Sequence, residues 1–114
     1  IKDHDGLEAF RQAVLPWAEE EGVTVLYSNP NYLEFIPAGS GKGASVLKLC
    51  EILGIDPCFS VAAGDEQNDL SMIEASGMGI AMVNGNEQVK MAATVITQAD
   101  NDHDGLAKAL VDLI

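Results

Sequence analysis

Gly64-Asp65-Glu66-Gln67-Asn68-Asp69 gathers three carboxylates and two side-chain amides into six residues. Asp65 and Asp69 stand four apart, so the two carboxylates can converge on one point, with Asn68 in the first turn of a following helix. Two carboxylates, an amide and the unpaired N–H groups of a helix start suit a hard cation together with a phosphate. The competing reading is an ordinary capped helix start on a solvated turn, because Asp and Asn also favour such positions for their own backbone bonds.

Lys42 is the second residue of interest. It lies in Gly39-Ser40-Gly41-Lys42-Gly43, ahead of a helix. A glycine-rich loop with a lysine suggests phosphate binding, but the segment is not the P-loop of nucleotide hydrolases. The first glycine of that motif would fall at Ile36, and its hydroxyl residue at Gly43. Without further context, a solvated lysine in a flexible hinge explains it better.

These residues need elements to hold them. The apolar run Phe59 to Ala63 reads as a buried strand of a parallel sheet, stopped by Gly64, which permits a tight turn. Leu70, Ile73 and Ala75 follow at helical spacing, which puts Asp65, Asn68 and Asp69 at the carboxyl end of a strand. Open α/β sheets bind ligands there. Downstream of a Pro37–Gly41 boundary the pattern predicts a helix over 43–53, the strand 59–63, a helix over 68–76 and a strand at 79–82. A short helix at 86–92, a strand at 94–96 and a last helix at 105–113 complete it. That alternation predicts an α/β fold with a parallel sheet covered on both faces. Upstream, Leu7, Phe10, Val14, Trp17 and Ala18 predict a helix over 5–21, ended by Gly22 and kinked or split at Pro16. Val23 to Tyr27 and Tyr32 to Ile36 predict two antiparallel strands. The chain therefore divides into an α+β unit, 1–37, and an α/β unit, 38–114.

Gly64-Asp65-x-x-Asn68-Asp69 resembles the fourth motif of the haloacid dehalogenase-like (HAD) phosphohydrolases. The flanking Leu70-Ser71-Met72-Ile73, Gly79-Ile80-Ala81-Met82-x-Asn84-Gly85, Val89-Lys90 and Thr94-Val95-Ile96-Thr97 extend the likeness, in the Cof-type branch, over residues 33 to 114. The resemblance implies part of a Rossmannoid three-layer α/β/α core, with residues 1–37 the tail of a cap domain. It also implies a Mg²⁺-dependent phosphatase acting on a small phosphorylated metabolite. Lys42 would contact the phosphoryl group and the nucleophile's carboxylate, where a compact ammonium offsets gathered negative charge. Asp65 would ligate Mg²⁺ directly. Asp69 would hold a metal-bound water or brace the site, and Asn68 would hydrogen-bond the phosphate or the lysine. Gly85 would supply a positive φ after the next strand.

The family's nucleophile, the first Asp of an Asp-x-Asp motif, and its Ser/Thr second motif both precede the cap and are expected outside this chain. The chain alone is then expected not to turn over substrate. Asp3-His4-Asp5-Gly6-Leu7 imitates the nucleophile motif, but only Ile1 and Lys2 precede it, too few for a buried strand. The pentapeptide recurs as Asp102-His103-Asp104-Gly105-Leu106, so helix initiation is the expected role of both copies.

The net charge of −12 argues against nucleic acid or an anionic membrane as partner. No secretory leader is visible, and no apolar run approaches the roughly 20 residues of a membrane span. Cys50 and Cys58 match no common zinc or redox spacing and read as reduced packing residues, consistent with a cytoplasmic protein. A second functional class remains open. A non-catalytic domain could assemble with a missing N-terminal half, or with itself, through an exposed apolar sheet edge at Phe59–Ala63. Phosphoryl transfer to a sugar, or within an ATPase-like domain, has no residue in its favour.

Overall fold

A computed structural model describes residues 3–114; Ile1 and Lys2, judged above too few for a strand, lie outside the described residues. The first element, α1, spans His4–Glu20, and the Asp3 side chain caps it by accepting from the Gly6 N–H at 3.1 Å. Pro16 does not split the helix. Pro16 and Gln12 are both exposed, so the carbonyl that loses its helical partner faces water. Gly22 ends the turn after α1 with φ +68°. Strands β1 (Val23–Asn29) and β2 (Tyr32–Pro37) form an antiparallel pair with Val25 opposite Phe35 and an irregularity between Tyr27 and Asn29. Leu7 and Ala18 of α1 bury themselves with Val25 and Tyr27 of β1.

The rest alternates as the sequence predicts. Helix α2 (Lys42–Leu53) ends at Gly54, and a 3₁₀ turn at Pro57–Phe59 leads into β3 (Val61–Gly64). A second 3₁₀ turn, Gln67–Asp69, runs into α3 (Leu70–Ala75), followed by β4 (Met78–Ala81), α4 (Glu87–Ala92) and β5 (Val95–Ile96). Helix α5 (Gly105–Leu113) closes the chain. The sheet order is β3-β4-β5, all parallel, with Ala62 opposite Gly79 and Ile80 opposite Val95. This is the expected α/β fold with a parallel sheet. Ile80 and Val89 are fully buried, and Ile73, Ala81 and Val89 form the packed centre.

Three expectations are corrected. The strand does not begin at Phe59: Asp56 accepts from the Cys58 N–H at 2.9 Å and Pro57 opens a 3₁₀ turn, which delays β3 to Val61. The run is not buried throughout either: Phe59, in the turn, is 81% exposed and Val61, on the edge strand β3, is 54% exposed, while Ala62 is buried. Cys50 is buried, but Cys58 lies exposed on the same turn; both are free thiols. The repeated pentapeptide takes two conformations. Its first copy caps and starts α1, whereas in its second copy Asp102 and His103 lie in a 3₁₀ turn and Asp104 turns left-handed (φ 58°) without a side-chain cap, so α5 starts two residues later in the motif. The described chain is a flat slab, 45 × 34 × 18 Å, with a radius of gyration of 15.5 Å.

Candidate active site

The 65–69 segment leaves the carboxyl end of β3 and folds back at once. Glu66 and Asp69 cap one another reciprocally, each side chain accepting the other's backbone N–H. Asp69 Oδ2 also accepts from the Asp65 N–H at 3.0 Å, which winds the loop around that carboxylate. Gly64 makes room for it. A Cβ there would stand 2.4 Å from the Asp69 Cβ, so close approach, and no positive φ, is what the glycine supplies.

Lys42 is the first residue of α2. The Gly43 N–H donates to Ser71 Oγ at 3.0 Å, and a Cβ on Gly43 would stand 2.4 Å from the Ser71 carbonyl oxygen. The start of α2 is thereby pressed onto the start of α3, which delivers the Lys42 ammonium to Asp69 Oδ1 as an ion pair. Asp69 is 6% exposed. Burial by itself would raise its carboxyl, but the Lys42 bond and the N–H groups of Asp65 and Glu66 outweigh burial and hold it below its ordinary value.

Asp65 responds in the opposite direction. Burial first, then the neighbouring Asp69 charge, push its carboxyl up, against a smaller pull from Lys42. Glu66 is raised by burial and by Asp65 and Asp69. Three carboxylates thus crowd one turn, of which only Asp69 is bonded to the Lys42 ammonium, an excess of negative charge that a divalent cation would balance. Among the described residues no three His, Cys, Asp or Glu side chains form a metal cage. One or two protein carboxylates is the number Mg²⁺ usually takes, with water and substrate oxygens supplying the rest. Asp69 has both oxygens engaged by the protein, which makes Asp65 the carboxylate better placed to ligate and Asp69 the brace.

The structure therefore brings Lys42, Asp65 and Asp69 together, with Asn68 half-buried in the same 3₁₀ turn. Gly85 is corrected: its φ is not positive. Its lack of a side chain instead lets the loop after β4 lie on the site, since a Cβ would stand 2.8 Å from the Asp65 carbonyl oxygen, to which Asn86 N–H donates at 2.6 Å. Asn84 points elsewhere, its amide bonding Asn101 at 2.9 Å. Asp3, set aside above as nucleophile, is occupied in capping α1. His4 is the first residue of α1, and its ring lies against Tyr27. Two contributors were not read from the sequence: Ser71, which sets α2 on α3, and Gln67, whose Oε1 accepts the Tyr27 N–H at 2.8 Å. Beside that contact an open cleft of about 550 Å³ separates His4, Arg11 and Tyr27 from Glu66, Gln67 and Asn86.

Residues 1–110 match the haloacid dehalogenase-like hydrolases. The chain belongs to that family. Among its relatives, the 5-amino-6-(5-phospho-D-ribitylamino)uracil phosphatase YwtE of Bacillus subtilis is 40% identical over 87 residues, 76% of this chain and 30% of that protein. The chloroplastic endoribonuclease YBEY of Arabidopsis thaliana is 36% identical over 109 residues, 93% of this chain but 18% of that protein. The crystal structure of a haloacid dehalogenase-like hydrolase from Bacteroides thetaiotaomicron, 37% identical, aligns with a TM-score of 0.75 over 100% of this chain and 42% of its own. This member of the hydrolase family thus spans 18% to 42% of the length of these relatives. No described helix is long and apolar enough to cross a membrane.

Proposed function

We propose that the chain is the C-terminal part of a Mg²⁺-dependent phosphatase that hydrolyses a small phosphorylated metabolite. The observation that carries this reading is the Lys42–Asp69 ion pair held beside Asp65, whose carboxyl is raised by burial and by the neighbouring Asp69 charge. The phosphatase relative supports a phosphomonoester as substrate class, and the match to only 18% of the ribonuclease gives no ground for RNA cleavage.

Residues 1–37 are read as the tail of a cap, and 38–114 as core. Asp65 would hold Mg²⁺ with Asp69 behind it, and the ion would supply positive charge against a phosphoryl group. Lys42 places an ammonium at the same edge, where it steadies Asp69 and can reach a phosphate oxygen. Asn68 contributes a neutral amide for orienting that oxygen. None of these groups attacks phosphorus. The attacking carboxylate belongs to a preceding segment, so catalysis needs more chain than these 114 residues.

The test is hydrolysis of an aryl phosphate with Mg²⁺ by the longer parent and by the 114-residue chain. Activity in the parent, lost on Asp65→Ala and absent from the short chain, is the expected result; turnover by the short chain would overturn the division of labour.

A second reading is favoured by one observation, the free edge of β3 with Phe59 and Val61 exposed beside it. An unpaired apolar edge invites another strand. The natural occupant is the missing N-terminal part, with a second copy of the chain as the alternative, and light scattering with and without the N-terminal segment distinguishes them.

A further inference from the structure

The α1–β1–β2 unit and the carboxylate turn meet through one directional bond. Among the described residues strand β1 pairs only with β2, so its outer edge carries backbone groups outside the sheet ladder. One of them, the Tyr27 N–H, donates to Gln67 Oε1 at 2.8 Å across 40 positions of sequence. Both ends of that bond are fixed. The Tyr27 hydroxyl donates to Glu8 Oε2 at 2.7 Å, and the Arg11 guanidinium lies 6.0 Å from its ring centroid, so its backbone cannot shift without disturbing α1. Gln67 opens the 3₁₀ turn that Glu66 and Asp69 lock by mutual capping.

We propose that Gln67 is a positioning residue coupling the seating of the α1–β1–β2 unit to the order of the Asp65–Asp69 turn. The coupling to metal rests on the Mg²⁺ reading above. A ligand shifts a conformational equilibrium only through a difference in affinity for its states, and the effect is reciprocal. A cation that favours the ordered turn therefore also favours the Tyr27–Gln67 bond, and loss of the bond weakens the cation. The 550 Å³ cleft beside the bond is bounded by both units, so its width follows the same equilibrium.

The test uses the full 114-residue chain, amide hydrogen exchange by NMR and Mg²⁺ titration. In the unsubstituted chain Mg²⁺ slows exchange at Tyr27. Gln67→Leu, similar in size but without an acceptor, speeds exchange at Tyr27 and at Asp69 and weakens Mg²⁺ binding about fivefold or more. Gln67→Glu keeps an acceptor and restores protection of Tyr27. If Gln67→Leu leaves Asp69 exchange and Mg²⁺ affinity unchanged, Gln67 is a surface contact and the proposal falls. If the titration is the same after Asp65→Ala, the metal reading fails separately. The coupling then stands or falls on whether Gln67→Leu quickens Asp69 exchange.

Discussion

Asp69 holds Lys42 with one carboxylate oxygen and the backbone N–H of Asp65 with the other. One buried side chain thus fixes the distance between Lys42 and the Asp65 backbone. Lys42→Met removes its partner and strands a nearly buried charge. Such losses reach roughly 3–5 kcal/mol for fully buried pairs. Here Lys42 is 49% exposed, which reduces the expected loss to about 1–2 kcal/mol. Urea unfolding measures it, and Lys42→Met combined with Asp69→Asn should recover most of it. A combined loss equal to the sum of the single ones would show the two residues to be uncoupled.

The carboxylates give stability a pH dependence of mixed sign. Asp69 is lowered in the folded chain, so its contribution is present above the unfolded value of about 3.9 and is lost as pH falls through its folded value. Asp65 and Glu66 are raised, so their contribution is present below their unfolded values and is lost as pH rises through the folded ones. On acidification from neutrality, protonation of Asp65 and Glu66 should first add stability, and protonation of Asp69 should then remove it. Glu8, Asp56 and Asp100 are also lowered, so difference curves of melting temperature isolate each site residue. Asp65→Asn should flatten the initial gain and raise the melting temperature at pH 7, while abolishing Mg²⁺ binding. A melting temperature lowered by that substitution would contradict the like-charge repulsion at the site.

Gly64→Ala tests the close approach behind Asp69. A methyl 2.4 Å from the Asp69 Cβ must push either β3 or the turn aside. Overpacking of this kind costs about 1–3 kcal/mol. The Lys42–Asp69 contact should loosen with it, visible as faster amide exchange at Asp65 and Glu66. Unchanged exchange would mean that the turn can yield without moving the carboxylate.

The α/β alternation, the parallel sheet and the Asp65–Asp69 cluster were legible because each is written locally, in periodic apolar positions or a compact motif. Lys42, 27 positions from Asp69, was placed at the site only by the family resemblance. The misread features depend on what lies across space. Phe59 is the local exception: it continues an apolar run, yet the Asp56–Pro57 turn that forms ahead of β3 leaves it exposed outside the strand. Gly64 and Gly85 announce a need for space, but a sequence does not say whether the space serves backbone rotation or a neighbour's atoms. Gln67 carries no signal at all. Its role arises from a strand 40 residues away, and the two copies of one pentapeptide show the same limit, folding differently where their surroundings differ.

Val61→Lys places a charge on the free edge of β3 at a side chain already 54% exposed. It should lower self-association at high concentration while changing folding stability by less than about 0.5 kcal/mol. Static light scattering reads the first and urea unfolding the second; association that persists in the variant would move the contact away from this edge.

The slab shape governs how such measurements are read. A globular chain of this length has a radius of gyration of about 13 Å, against 15.5 Å here. With a thickness of 18 Å and a length of 45 Å, the molecule has more frictional drag than a sphere of 12.0 kDa. It will elute early from a gel-filtration column and diffuse slowly, so a monomer will imitate a heavier species. A retention time calibrated on round standards would report partners that are not there, whereas scattered intensity counts mass directly.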